Sequence, residues 1–128
     1  YVVVLDHNAK HTLFDAQKRC ELAAEALREV ANITVLSHDG LTLDKAKELG
    51  ACALIRGVRQ QRDYEYELNQ ASCNAHIDEN VETILLFAKA QYAFISSTAV
   101  KEFALYHQSL DGLVSESVAK ALEEAYRK

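Results

Sequence analysis

Apolar and polar positions along the chain alternate between two periods. Tyr1–Asp6 (YVVVLD), Asn32–Leu36 (NITVL), Ala51–Ile55 and Val81–Phe87 (VETILLF) are short, mostly apolar runs, and each predicts a buried strand. Between them the spacing lengthens. Ala16, Cys20, Ala23, Ala24, Leu27 and Val30 follow the helical period, which predicts a helix over Asp15–Val30 with Asp15 as its N-cap. Thr42–Leu49 predicts a short helix, capped by Thr42 and ended by Gly50, where a left-handed residue is needed. Asp63–Ile77 predicts a helix with Tyr64, Leu68, Ala71 and Ala75 along its apolar side. Ser96–Tyr106 predicts a helix opened by hydroxyls, and Ser115–Arg127 a last one with Ser115 as cap.

Strands that alternate with helices predict an α/β fold, an open parallel sheet with helices on both faces. At 128 residues the chain is expected to form a single domain. In such sheets ligands bind beyond the C-terminal strand ends. The segments to read for chemistry are therefore His7–Thr12, Ser37–Thr42, Arg56–Asp63 and Ala88–Ser97.

Composition narrows the function classes. Hydrophobic residues make up 49% of the chain, enough for a packed core without disulfide staples. A net charge of −5 with no basic run excludes a general nucleic-acid binder, but leaves room for a small anion held by a few local cations. Cys20, Cys52 and Cys73 form no CxxC pair and read as reduced thiols of a cytoplasmic protein without a zinc site. No apolar run approaches the roughly 20 residues that span a bilayer, so no membrane partner is expected. The chain contains no Met and Tyr1 opens inside a strand pattern, so the sequence reads as N-terminally incomplete.

Ile55-Arg56-Gly57-Val58-Arg59 is the sharpest local signal. Arg56 and Arg59 offer forked donors suited to phosphate oxygens, and Gly57 lets the backbone turn or a ligand approach closely. Two solvated arginines on a turn are the plain alternative. Phe94-Ile95-Ser96-Ser97-Thr98 opens a helix, where free N–H groups make an anion site, although ordinary capping needs only one of the hydroxyls. Asp63-Tyr64-Glu65-Tyr66-Glu67 places acids in a first helical turn, which the helix dipole favours; alternatively one acid holds an arginine or accepts from a ribose or base. Lys10 sits past the first strand, either solvated or on the same edge as Arg56. No Gly-x-Ser-x-Gly, Cys–His or Walker A pattern is present. What remains is a phosphate-handling edge without a covalent nucleophile.

These pieces, in this order, resemble phosphopantetheine adenylyltransferase. The resemblance is carried by Arg56-Gly57-Val58-Arg59 with Asp63–Glu67, and by Tyr92–Glu102 (YAFISSTAVKE). Lys10, Leu13-Phe14, Gly40-Leu41, Asn74 and Glu82-Thr83 extend it over essentially the whole chain. It implies transfer of AMP from ATP to 4′-phosphopantetheine, giving dephospho-coenzyme A and pyrophosphate, with magnesium accompanying ATP and a hexameric assembly. It further implies that Lys10, Thr42 and Arg56 contact the acceptor. Gly57, Val58, Arg59, Asp63 and Glu67 line the nucleotide site, with Tyr92, Ala93, Phe94, Ile95, Ser96, Ser97 and Thr98 closing over it. Lys10 and Arg59 act on the reacting phosphates, and coenzyme A is a product-like ligand.

The family's first strand, Gly-Thr/Ser-Phe-Asp loop and His-x-Gly-His motif do not occur in these 128 residues. That strand is the family's central one, so the resemblance implies that the Tyr1–Asp6 and Ala51–Ile55 strands do not pair directly. A nucleotide- or coenzyme A-binding module without turnover is the alternative that this difference raises.

Overall fold

The strands come first, because they set where the site lies. The computed structural model describes residues 1–6 and 11–127. Its elements run β1 (Val2–Leu5), α1 (Ala16–Ala26), β2 (Val35–His38), α2 (Thr42–Glu48), β3 (Ala53–Val58), α3 (Gln61–Ile77), β4 (Glu82–Phe87), a 3-10 turn (Ala90–Tyr92), α4 (Ser97–Leu105) and α5 (Glu116–Ala125). Among the described residues the strands form two parallel pairs, β1 with β2 and β3 with β4, and no ladder joins one pair to the other. The α/β organisation with parallel strands is thus the one the alternating periods predict.

The chain condenses into two compact units, Tyr1–Asp39 with Ile95–Lys128, and Gly40–Phe94. In the first, Val100, Ala104, Leu110 and Leu122 form a core against which Phe14, Ile95, Phe103, Val114, Val118, Ala119 and Tyr126 pack. In the second, Leu43, Ala46 and Val81 form a core with Ala51 and Leu54 packed on it.

Helix ends show which local signals hold. Asp15 caps α1 as expected, its Oδ1 accepting the Lys18 N–H at 2.7 Å. The helix closes at Ala26, earlier than the apolar period suggests, and tight bonds such as Val30 N–H to the Leu27 carbonyl (2.9 Å) take over. Gly50 ends α2 with φ +64°. Its N–H reaches the Lys47 carbonyl at 3.0 Å and the Ala51 N–H reaches the Ala46 carbonyl at 2.8 Å, the paired bonds of a Schellman closure. Thr42, by contrast, is the first helical residue rather than the cap. The extended Leu41 holds the cap position without a side-chain bond.

One expectation about the second unit needs correction. The third strand does not close at Ile55. It continues through Arg56 and Gly57 to Val58, because the ladder to β4 persists as Arg56↔Leu85, Gly57↔Leu86 and Val58↔Phe87. Gly57 is therefore extended backbone and not a turn.

The buried side of α3 also differs from the apolar one. Tyr64 and Leu68 are 40% and 48% exposed, whereas Glu67 is 7% exposed and is the helix's one buried residue. Asp63, Glu67, Ala71 and Asn74 are the residues of this helix most shielded from solvent.

Candidate functional site

Register partners in a parallel ladder point to the same side, so β3–β4 has two distinct faces. Leu54, Arg56 and Val58 share one face; Leu54 packs on the core that α2 contributes to, and Arg56 meets α3. The opposite face carries Ile55, Ile84 and Leu86, all exposed. Arg56 is thus held on the helix-covered side, near the C-terminal end of its strand.

Its partner is Glu67, in the second turn of α3. Arg56 Nε–H donates to Glu67 Oε2 and Nη2–H donates to Oε1, both at 2.8 Å. This is a side-on, two-bond fork, the strongest form of the pair. The hydrogen bonds from the guanidinium to Glu67 hold Arg56 above its already high ordinary pKa, against the opposing effect of burial. Both carboxylate oxygens of Glu67 are engaged by one arginine.

One helical turn earlier the pattern repeats. Arg59 Nε–H donates to Asp63 Oδ2 at 3.0 Å, Nη2–H donates to Oδ1 at 3.4 Å, and the Arg59 backbone N–H also reaches Oδ2, at 3.1 Å. Hydrogen bonding from Arg59, side chain first and then backbone, pulls the Asp63 carboxyl below its ordinary value of 3.8. Asp63 and Glu67 are four residues apart and so lie above one another on the same helix face. One face of α3 therefore holds two guanidinium groups, one from the strand and one from the loop after it.

A hollow of about 350 Å³ opens beside this pair of forks, lined by Gly57, Arg59, Gln60, Arg62, Asp63, Tyr66 and Glu67. A Cβ built on Gly57 would meet nothing within 4 Å, so the backbone there is open to close approach. A neighbouring hollow of about 440 Å³ is lined mainly by apolar surface of Val58, Arg59, Gln60, Gln61, Tyr64 and Phe87. In it Tyr64 and Phe87 stack with ring centroids 6.4 Å apart and planes inclined by 26°. Sequence reasoning gave Phe87 only as a strand residue. Its position as the last residue of a strand, at the C-terminal end of β4, was the available signal.

The structure brings Arg56, Gly57, Val58, Arg59, Asp63 and Glu67 together within the second unit. Thr42 is in the same unit, half-buried at the start of α2, and Tyr92, Ala93 and Phe94 follow β4 there, the first of them closing the 3-10 turn. Ile95, Ser96, Ser97 and Thr98 belong to the first unit. Ser96 caps α4, its Oγ accepting the Ala99 N–H at 3.1 Å, while Ser97 and Thr98 are exposed in the first turn. Lys10 lies outside the described residues.

Among the described residues no group of three His, Cys, Asp or Glu side chains could hold a metal ion, and no helix is long and apolar enough to cross a membrane. Residues 1–103 match the family model described as Cytidylyltransferase-like, a span that includes the forks, both hollows and the start of α4.

Proposed function

The chain belongs to the cytidylyltransferase-like family, whose chemistry is nucleotidyl transfer, and from that premise we propose that it moves AMP from ATP to 4′-phosphopantetheine. The observation that carries the proposal is the pair of guanidinium forks on one face of α3, beside an open hollow at the end of β3.

An acceptor phosphate oxygen attacks the α-phosphorus of ATP. The bond from that phosphorus to the bridging oxygen breaks, pyrophosphate leaves, and dephospho-coenzyme A forms. The acceptor supplies the nucleophile, so the protein needs none. Its task is to align two anions and to stabilise charge as the transition state forms.

In this reading Arg56 and Thr42 hold the acceptor, while Gly57, Val58, Arg59, Asp63, Tyr92, Ala93 and Phe94 line the nucleotide side; the resemblance adds Lys10 to the first group and Ile95–Thr98 to the second. Arg59 acts on the reacting phosphates together with Lys10. Magnesium finds no group of three His, Cys, Asp or Glu side chains among the described residues. It enters the proposal only as the ion that ATP carries, and no step is derived through it.

The test is pyrophosphate release from ATP with 4′-phosphopantetheine, compared with CTP as donor and with other phosphorylated acceptors. Release that requires both ATP and 4′-phosphopantetheine is the expected result. Binding of both without release would replace the enzyme reading by that of a binding module, and turnover with a different acceptor would overturn the choice of substrate.

A further inference from the structure

Glu67 is more buried than any other acid among the described residues, and both its oxygens are taken up by Arg56. Each of the two oxygens accepts one bond from the guanidinium. The arginine, on the other hand, has five N–H donors, and Glu67 uses two of them, one on Nε and one on Nη2. The two N–H groups of Nη1 and the second of Nη2 remain, and the last of these with the adjacent N–H of Nη1 forms the end-on fork of the guanidinium. That edge matches two oxygens of a phosphate in the same bidentate way that the side-on edge matches Glu67. Because the guanidinium is planar, fixing one edge fixes the plane of the other.

We infer that Glu67 is a positioning residue for the acceptor: it locks the Arg56 guanidinium so that its end-on fork takes the phosphate of 4′-phosphopantetheine. This rests on the acceptor reading proposed above. It gives Glu67 a task toward the acceptor, beyond the nucleotide-side place that the resemblance implies. It also separates the two forks by task, since Asp63 holds Arg59 through the backbone N–H as well as the side chain. The lock costs little entropy on binding, because the Arg56 rotamer is already fixed before the phosphate arrives.

Two measurements on the full chain test this. The first is arginine side-chain nitrogen NMR without substrate, in the wild type, Glu67→Gln and Glu67→Ala. Slow rotation about the Arg56 Nε–Cζ bond in the wild type and fast rotation in Glu67→Ala are expected. Fast rotation in the wild type overturns the lock. The second is calorimetric binding of 4′-phosphopantetheine and of a non-hydrolysable ATP analogue, with thermal melts to confirm that each variant is folded.

Glu67→Gln is expected to weaken the acceptor by about tenfold and the ATP analogue by less than about twofold. Adding Glu67→Gln to Arg56→Ala is expected to cost no further acceptor affinity. Weakening confined to the ATP analogue, or additive losses in the double variant, would overturn the inference. A wild type with a locked guanidinium that binds no 4′-phosphopantetheine overturns the acceptor reading and this assignment with it. A wild type and Glu67→Gln that bind it equally well overturn the positioning role alone.

Discussion

Asp63 shows how much a single side chain can be asked to do. Its carboxylate accepts from the Arg59 guanidinium and from the Arg59 backbone, and so ties the loop after β3 to the first turn of α3. These bonds lower its pKa in the folded state below the ordinary 3.8. A depressed folded pKa makes a contribution that is complete above the unfolded value and is lost as pH falls through the folded one. Asp63→Asn should therefore lower the urea midpoint by a constant amount between about pH 5 and about pH 7, and that gap should close as the pH is taken below about 4. A gap that stays constant on acidification would show that the Asp63 charge contributes nothing through Arg59.

At this scale the sequence showed which residue types were present but not their pairing. Three arginines and three acids in Arg56–Glu67 allow several matches. The i, i+4 spacing of Asp63 and Glu67 made a shared face available, and the path of β3 decided which arginine meets which acid.

Elements were legible where a local bond fixes them. Asp15 and Gly50 act within their own turn, so their roles follow from the chain nearby. Gly50 sits at φ +64° with no atom within 4 Å of where a Cβ would be, so Gly50→Ala meets only backbone strain. That substitution should cost about 1 kcal/mol, read as a shift in the chemical denaturation midpoint, with the fold unchanged.

Elements were misread where a neighbour decides them. Arg56 and Gly57 look like the end of a strand, since one is charged and the other breaks regular structure. The strand continues because β4 keeps pairing with it and Glu67 neutralises the arginine on the covered face. The apolar residues of α3 likewise do not mark its inward side. Tyr64 and Leu68 instead remain largely exposed, because the inward positions are taken by the acids that hold Arg56 and Arg59.

Across the whole molecule, each unit keeps a separate core. Leu43 is 1% exposed and lies between Ala46 and Val81 in the core of the second unit, the unit that carries both forks. Truncating it leaves a void that its small core cannot readily fill. Leu43→Ala should cost about 3 kcal/mol, measured by denaturant unfolding, and should reduce ligand affinity only through the folded fraction. Loss of affinity in a fully folded variant would mean that this core also sets the geometry of the forks.

What the sequence determined by itself is the parallel α/β plan, the caps at Asp15 and Gly50, and the presence of two forked donors, Arg56 and Arg59, either side of Gly57-Val58. All of these follow from period, from single-turn hydrogen bonds or from side-chain chemistry, which are properties of nearby residues. Only the tertiary structure decided that Glu67 is buried against Arg56, that Phe87 stacks on Tyr64, and that β3 runs on to Val58. Each of those depends on a contact between residues far enough apart in sequence that no local pattern encodes the distance between them.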